Sequence, residues 1–144
     1  LNNNSAEFQE VGTFWNGVVP SATSFSTGSA ADAGGTSGDN YIAMLFASTD
    51  VSKVGSYTGT GGSGTISGLG FTPRFLILKK SSGAEGWYVF DTTRGWGSGN
   101  DQVLYLNSSN AQFAYDVGQP TSDGFTVDSA INDNNENYIY YAHA

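Results

Sequence analysis

The chain has no cysteine among its 144 residues, so neither a disulfide nor a thiolate metal site can hold it together. Positive charge is also scarce. Five Lys and Arg stand against thirteen Asp and Glu, for a net charge of −8, and no basic cluster exceeds the pair Lys79 and Lys80. Without a basic stripe to neutralise phosphates, nucleic acid is not an expected partner. No apolar run approaches membrane-spanning length and no leader pattern opens the chain, so no membrane insertion is expected. The first residue is Leu rather than Met, and a processed chain or a fragment is the expectation.

Catalytic material is thin as well. The single histidine, His143, stands one residue from the end of the sequence. No Gly-x-Ser-x-Gly occurs, so a nucleophilic triad has little to build on. The stretch GTGGSG (59–64) is followed by neither Lys-Ser/Thr nor a helix, which removes the phosphate-loop reading. Glu85, Asp91 and Asp101 are the carboxylates near the tryptophans, but glycoside hydrolysis needs two at a fixed separation. No enzyme activity and no cofactor are expected.

What is abundant points to strands. Gly, Ser, Thr and Asn are frequent, and aromatics make up 14% of the chain. Disordered chains are poor in aromatics, whereas Gly and Asn supply the positive-φ positions of tight turns. RFLILKK (74–80) is apolar on both faces and reads as a central strand covered on two sides. GWYVFDT (86–92), QVLYLN (102–107), DGFTVDS (123–129) and NYIYYAHA (137–144) read as further short strands bounded by turn residues. SSGAEG (81–86) fits a hairpin turn, as does NDNNEN (132–137). TGTGGSGT (58–65) reads as a turn between edge strands. The expected fold is all-β, an antiparallel β-sandwich of jelly-roll-like form.

The sequence also repeats itself. LNNNSAEF (1–8) matches LNSSNAQF (106–113) at four of eight positions. TSFSTGSA (23–30) then matches DGFTVDSA (123–130), and DNYIAMLFA (39–47) matches ENYIYYAHA (136–144). The three blocks are collinear, with their length differences in polar loops, as in a diverged structural repeat. Residues 1–47 therefore read as the C-terminal half of a preceding unit, 48–52 as a hinge and 53–144 as a complete sandwich unit. A half unit cannot bury its own apolar strand faces, so either a longer intact protein or completion of 1–47 by another part of the assembly is expected. The alternative is that 1–47 supplies strands to the same sandwich.

The most unusual stretch is DTTRGWGSGND (91–101). Trp96 stands between glycines, with Arg94, Asn100 and Asp101 nearby. A flat aromatic face beside polar groups is what sugar binding requires, so these four residues are the candidate ligand site. Trp96 as a plug over the end of the sandwich is the competing reading. Arg94 is expected to pair with Asp91 or Asp101, and Trp15 and Trp87 are expected in the core or an interface. DNNEN (133–137) offers Asp133 and Glu136 as hard-oxygen ligands but lacks the spaced carboxylates of a calcium loop. It reads as a polar turn, and no metal is expected.

The ordered set VGSYTGTG, GLGFTPRFLILK, GWYVFDTTRGW, DGFTVDS and NYIYYAHA resembles a repeat module of bacteriophage tail-fibre-like and other virion appendage proteins. Gly55, Tyr57, Gly59, Gly70, Phe71, Pro73, Lys79, Trp87, Asp91, Arg94 and Gly95 occupy matching positions, as do Gly124, Phe125, Val127, Tyr138 and Ala142. The resemblance covers 53–144 fully and 1–47 as the tail of a preceding copy. It implies a structural or host-attachment role in a virion, or otherwise an extracellular place. Sister subunits of a homo-oligomer (usually a trimer in fibres), other virion proteins and a bacterial surface glycan are the partners it implies. A purely structural spacer, or a bacterial adhesin or secreted lectin with the same sandwich, are the competing readings.

Overall fold

A computed structural model describes Phe14 and residues 16–144. The first repeat block (1–8) and Trp15 lie outside the described residues. The described residues divide into two compact units, one of residues 46–144 and one of residues 14 and 16–45.

The larger unit is an antiparallel β-sandwich, as composition and patterning predict. Among the described residues its nine strands are β1 (Ser52–Thr58), β2 (Gly64–Ser67), β3 (Phe75–Lys80), β4 (Trp87–Asp91), β5 (Asp101–Tyr105), β6 (Phe113–Tyr115), β7 (Pro120–Thr121), β8 (Gly124–Val127) and β9 (Asn137–His143). Six form one sheet in the order β1-β9-β3-β4-β5-β6, and three form the other in the order β2-β8-β7. β3 is central, between β9 and β4; its inward Leu76 and Leu78 are buried, while Phe75 and Ile77 on the other face are half-buried.

Strand alternation decides what enters the core. Leu76 pairs with Ala142 on one side and Phe90 on the other, and Leu78 with Tyr140 and Tyr88. These point inward and meet Ile66 of β2 with Phe125 and Val127 of β8. Tyr138 also faces inward and stacks on Tyr57 at 5.0 Å. Ile139, at an alternate position on β9, is 40% exposed. The β1–β9 crossing is close: a Cβ on Gly55 would stand 2.4 Å from the Tyr140 hydroxyl, so a side chain there would have to displace the Tyr140 ring.

The connections mostly follow the turn chemistry. Residues 81–86 close the β3–β4 hairpin, and 59–63 join β1 to β2, each at the edge of its sheet. NDNNEN is not a hairpin turn, because β8 and β9 belong to different sheets. It crosses from one sheet to the other, and buried Asn132 fixes it by donating from Nδ2 to Thr60 Oγ1 at 3.0 Å and to the Gly62 carbonyl at 2.5 Å.

In the smaller unit the described residues contain a 3-10 turn, Ala31–Ala33, and no strand. The Tyr41 hydroxyl donates to the Ala31 carbonyl at 2.6 Å. Val18, Val19, Phe25, Ile42, Met44 and Leu45 are exposed. Residues 39–47 copy β9 in sequence but form no strand, apart from their approach to the Thr49–Ser52 bridge that leads into β1.

Candidate functional site

The loop after β4 begins with Asp91, whose carboxylate accepts from the Thr93 N–H at 2.8 Å and caps the 3-10 turn Thr92–Arg94. Gly95 at φ 105° ends that turn, a backbone that a side chain would strain. The chain then drives Trp96 inward rather than out. Trp96 is 3% exposed, packs on Phe90 at 5.9 Å and Phe125 at 6.5 Å, and donates from Nε1 to the Gly118 carbonyl at 3.1 Å. It thus bridges the two sheets. Its ring is not a solvent-facing platform: the competing plug arrangement is the one the structure contains.

The other three residues of the loop have separate positions. Arg94 donates to Gln112 Oε1 at 3.0 Å rather than to Asp91 or Asp101, and Asp91 pairs instead with Arg74 at 3.2 Å. Asn100 is exposed. Asp101 is fully buried, accepting from the Gly97 N–H at 2.7 Å and the Val117 N–H at 2.9 Å. Burial pushes its carboxyl pKa up, against the downward pull of those amides. One carboxylate thereby ties the 97–99 loop to the chain around Val117.

Those two segments form the walls of a cleft of about 480 Å³. Its lining includes Ser63, Thr65, residues 97–99, Asp116, Gln119, Thr126 and Asp128. Hydroxyls, backbone groups and two carboxylates face it, and no Lys or Arg is among the lining residues. Thr126 Oγ1 accepts from the Gln119 N–H at 2.8 Å. Asp128 is held by the Ser129 N–H and hydroxyl and by Ser63, contacts that lower its pKa, Ser129 foremost.

On the other side of the same segment lies an aromatic groove. The three-stranded sheet leaves the β5–β6 end of the larger sheet's inner face open, with Phe113 37% and Tyr115 51% exposed. Register puts Phe113 opposite core Val103 and Tyr115 opposite Asp101. Tyr88, Tyr105, Phe113 and Tyr115 line a groove of about 110 Å³, closed by Val117, Ala130 and Ile131. Tyr105 stands 5.1 Å from Tyr88 and 5.6 Å from Phe113, ring to ring. Burial, then the neighbouring Tyr105 hydroxyl, pushes the Tyr88 phenol pKa up, so it stays a neutral hydrogen-bonding group. Alternation explains the pairing of the two hollows. Tyr115 and Val117 line the groove while Asp116 and Gly118 line the cleft.

Sequence reading missed these four aromatics. The signal was the period-two pair Phe113 and Tyr115 following Tyr105 and Leu106, which reads as an ordinary strand unless the width of the covering sheet is known. The acidic stretch at 133–137 holds a cation of the protein's own. Lys80 Nζ sits 3.0 Å from Asp133, 3.8 Å from Glu136 and 3.9 Å from Glu85. Among the described residues, no group of three or more His, Asp or Glu gathers around a metal-sized position, and no helix is long and apolar enough to cross a membrane.

The chain belongs to the family described as Domain of unknown function (DUF7483), whose model matches residues 1–144. No curated protein and no solved structure matches it.

Proposed function

We propose that this protein is a structural and host-attachment module of a phage tail fibre or similar virion appendage, and that it binds a neutral glycan of the bacterial surface. The aromatic groove carries the reading. Tyr105, Phe113 and Tyr115 offer ring faces that stack on the apolar face of a pyranose, and Tyr hydroxyls lie at the same place. The adjoining cleft supplies hydroxyl, amide and carboxylate partners for sugar hydroxyls. With two carboxylates, no cation in its lining and a net charge of −8, this surface repels anionic glycans and favours neutral ones. The virion assignment rests on the ordered motifs quoted above. Attachment here is binding and not catalysis, with Asp101 as a positioning residue beneath the site and Trp96 as its interior support.

A purely structural spacer is the second reading, favoured by the exposed apolar residues 41–46. Adsorption of the fluorescently labelled protein to bacteria separates the two. Binding that is saturable, is competed by free neutral surface polysaccharide and is lost with Tyr115→Ala supports attachment. Absence of binding to cells that adsorb the cognate virion would leave the spacer role.

A further inference from the structure

The aromatics at the β5–β6 end do not form a flat platform. Tyr88 and Tyr105 are tilted by 49° with their centroids 5.1 Å apart, and Tyr105 and Phe113 by 35° at 5.6 Å. Ring faces set at such angles curve around the hollow they line. The hollow is also small. Its volume of about 110 Å³ is well below the roughly 300 Å³ at which sites for drug-sized ligands begin. The hollow itself therefore holds a substituent, with the sugar ring at its rim. Among the described lining residues, the only polar side-chain groups are tyrosine hydroxyls. An ordinary ammonium, with three N–H donors, would find too few acceptors there, and unmet donors are costly.

Charge around the groove has one sign. No Lys or Arg is among its lining residues. Carboxylates stand behind its walls. Asp116 lies between Tyr115 and Val117, which both line the groove, and Asp101 accepts from the Val117 N–H at 2.9 Å. Asp128 caps the 3-10 turn that supplies Ala130 and Ile131. Its hydrogen bonds from Ser129 hold its carboxyl below the usual carboxylate range, so it is ionised at neutral pH. Arg94, the cation of the neighbouring loop, is tied to Gln112 and through it to Gln102. Gln102 alternates with core Val103 and so faces away from the groove.

A cation that carries no hydrogen-bond donor fits both facts. We propose that the groove is an aromatic cage for a quaternary, trimethylated ammonium group, borne as a substituent on the bacterial surface glycan. Each ring turns the negative face of its quadrupole to the charge, and the methyl groups make apolar contact with the walls. A surface that repels anions admits such a group. Tyr115, 51% exposed, stays at the rim to stack on the sugar that carries it. The choice of carrier rests on the attachment reading above, whereas the group is read from the groove itself.

Titration of the full chain with choline chloride at constant ionic strength, read by aromatic NMR shifts, tests the proposal. Saturable shifts should appear at Tyr105, Phe113 and Tyr115, with the choline methyl signals moved upfield by the rings. Phe113→Leu keeps an apolar side chain but removes the π face, and should weaken binding by at least about fivefold. Phe113→Tyr should retain it. The neutral alcohol in which carbon replaces the choline nitrogen should bind at least about fivefold more weakly than choline. Equal binding of that alcohol would overturn the proposal, as would the absence of any saturable shift with millimolar choline. Choline should also compete with the surface polysaccharide. Polysaccharide binding that choline leaves untouched would overturn this inference and leave the attachment reading standing. Choline binding with no polysaccharide binding, or with binding to phosphatidylcholine vesicles in its place, would overturn the glycan as carrier and the attachment reading with it.

Discussion

Replacing Trp96 tests whether the loop 91–101 is built around a plug. Trp96→Ala removes a ring that touches Phe90 and Phe125 from opposite sheets and leaves the Gly118 carbonyl without its indole donor. Truncating a buried Trp costs about 3–5 kcal/mol, and the lost hydrogen bond about 1 kcal/mol more. Small domains are stable by about 5–15 kcal/mol, so a large share of the folding free energy is at stake. Trp96→Phe keeps the ring contacts in part and should cost roughly half as much, about 2 kcal/mol. Urea unfolding followed by far-UV circular dichroism gives both values, with the tyrosine-only variant Tyr115→Ala as an exposed control shifting by less than about 1 kcal/mol. A cost below about 1 kcal/mol for Trp96→Ala would refute the plug and restore the ring as a free surface.

The remaining predictions concern other links of the structure. Gly118→Ala should destabilise by about 2 kcal/mol or more, because Gly118 has φ 112° and a Cβ would stand 2.2 Å from the Thr126 carbonyl; the same urea titration reads it. Asp123 accepts from the Gly70 N–H at 2.7 Å and the Gly68 N–H at 3.0 Å, which lower its pKa below 3.8. Its contribution is therefore present above about pH 4 and lost as pH falls through the lowered folded value, so Asp123→Asn should flatten the acid limb of a stability-versus-pH curve. Asp101 has the opposite sign: its raised pKa makes its ionisation cost stability as pH rises from 3.8 towards the folded value. Asp101→Asn should reduce that loss, while the missing carboxylate oxygen disturbs the Gly97 or Val117 amide, visible as a chemical-shift change at those two residues.

The strands were legible because local chemistry and burial agree there. FLILKK and WYVFD are rich in residues that suit a pleated, covered surface, and the hairpin at 81–86 has the turn residues it needs. Where the reading failed, the deciding fact was non-local. The direction of Trp96 depends on the turn capped by Asp91 and ended by Gly95, and no periodicity extends into such a loop. The role of residues 132–137 depends on β8 and β9 belonging to different sheets. The aromatic groove arises because three strands face six, so Phe113 and Tyr115 have strand chemistry but no cover. Residues 39–47 show the same lesson from the other side: they carry the β9 pattern, but a strand needs paired neighbours, and among the described residues none of 39–47 is paired as a strand.

The proposed attachment role depends most heavily on the groove as the binding surface. Isothermal titration of the protein with purified neutral polysaccharide from the host surface tests it directly. Saturable binding, weakened at least tenfold by Tyr115→Ala, the loss expected for a stacking anchor, and retained by Trp96→Phe, is the predicted result. Undiminished binding by folded Tyr115→Ala, or no heat of binding to any neutral polysaccharide of that surface, would contradict it.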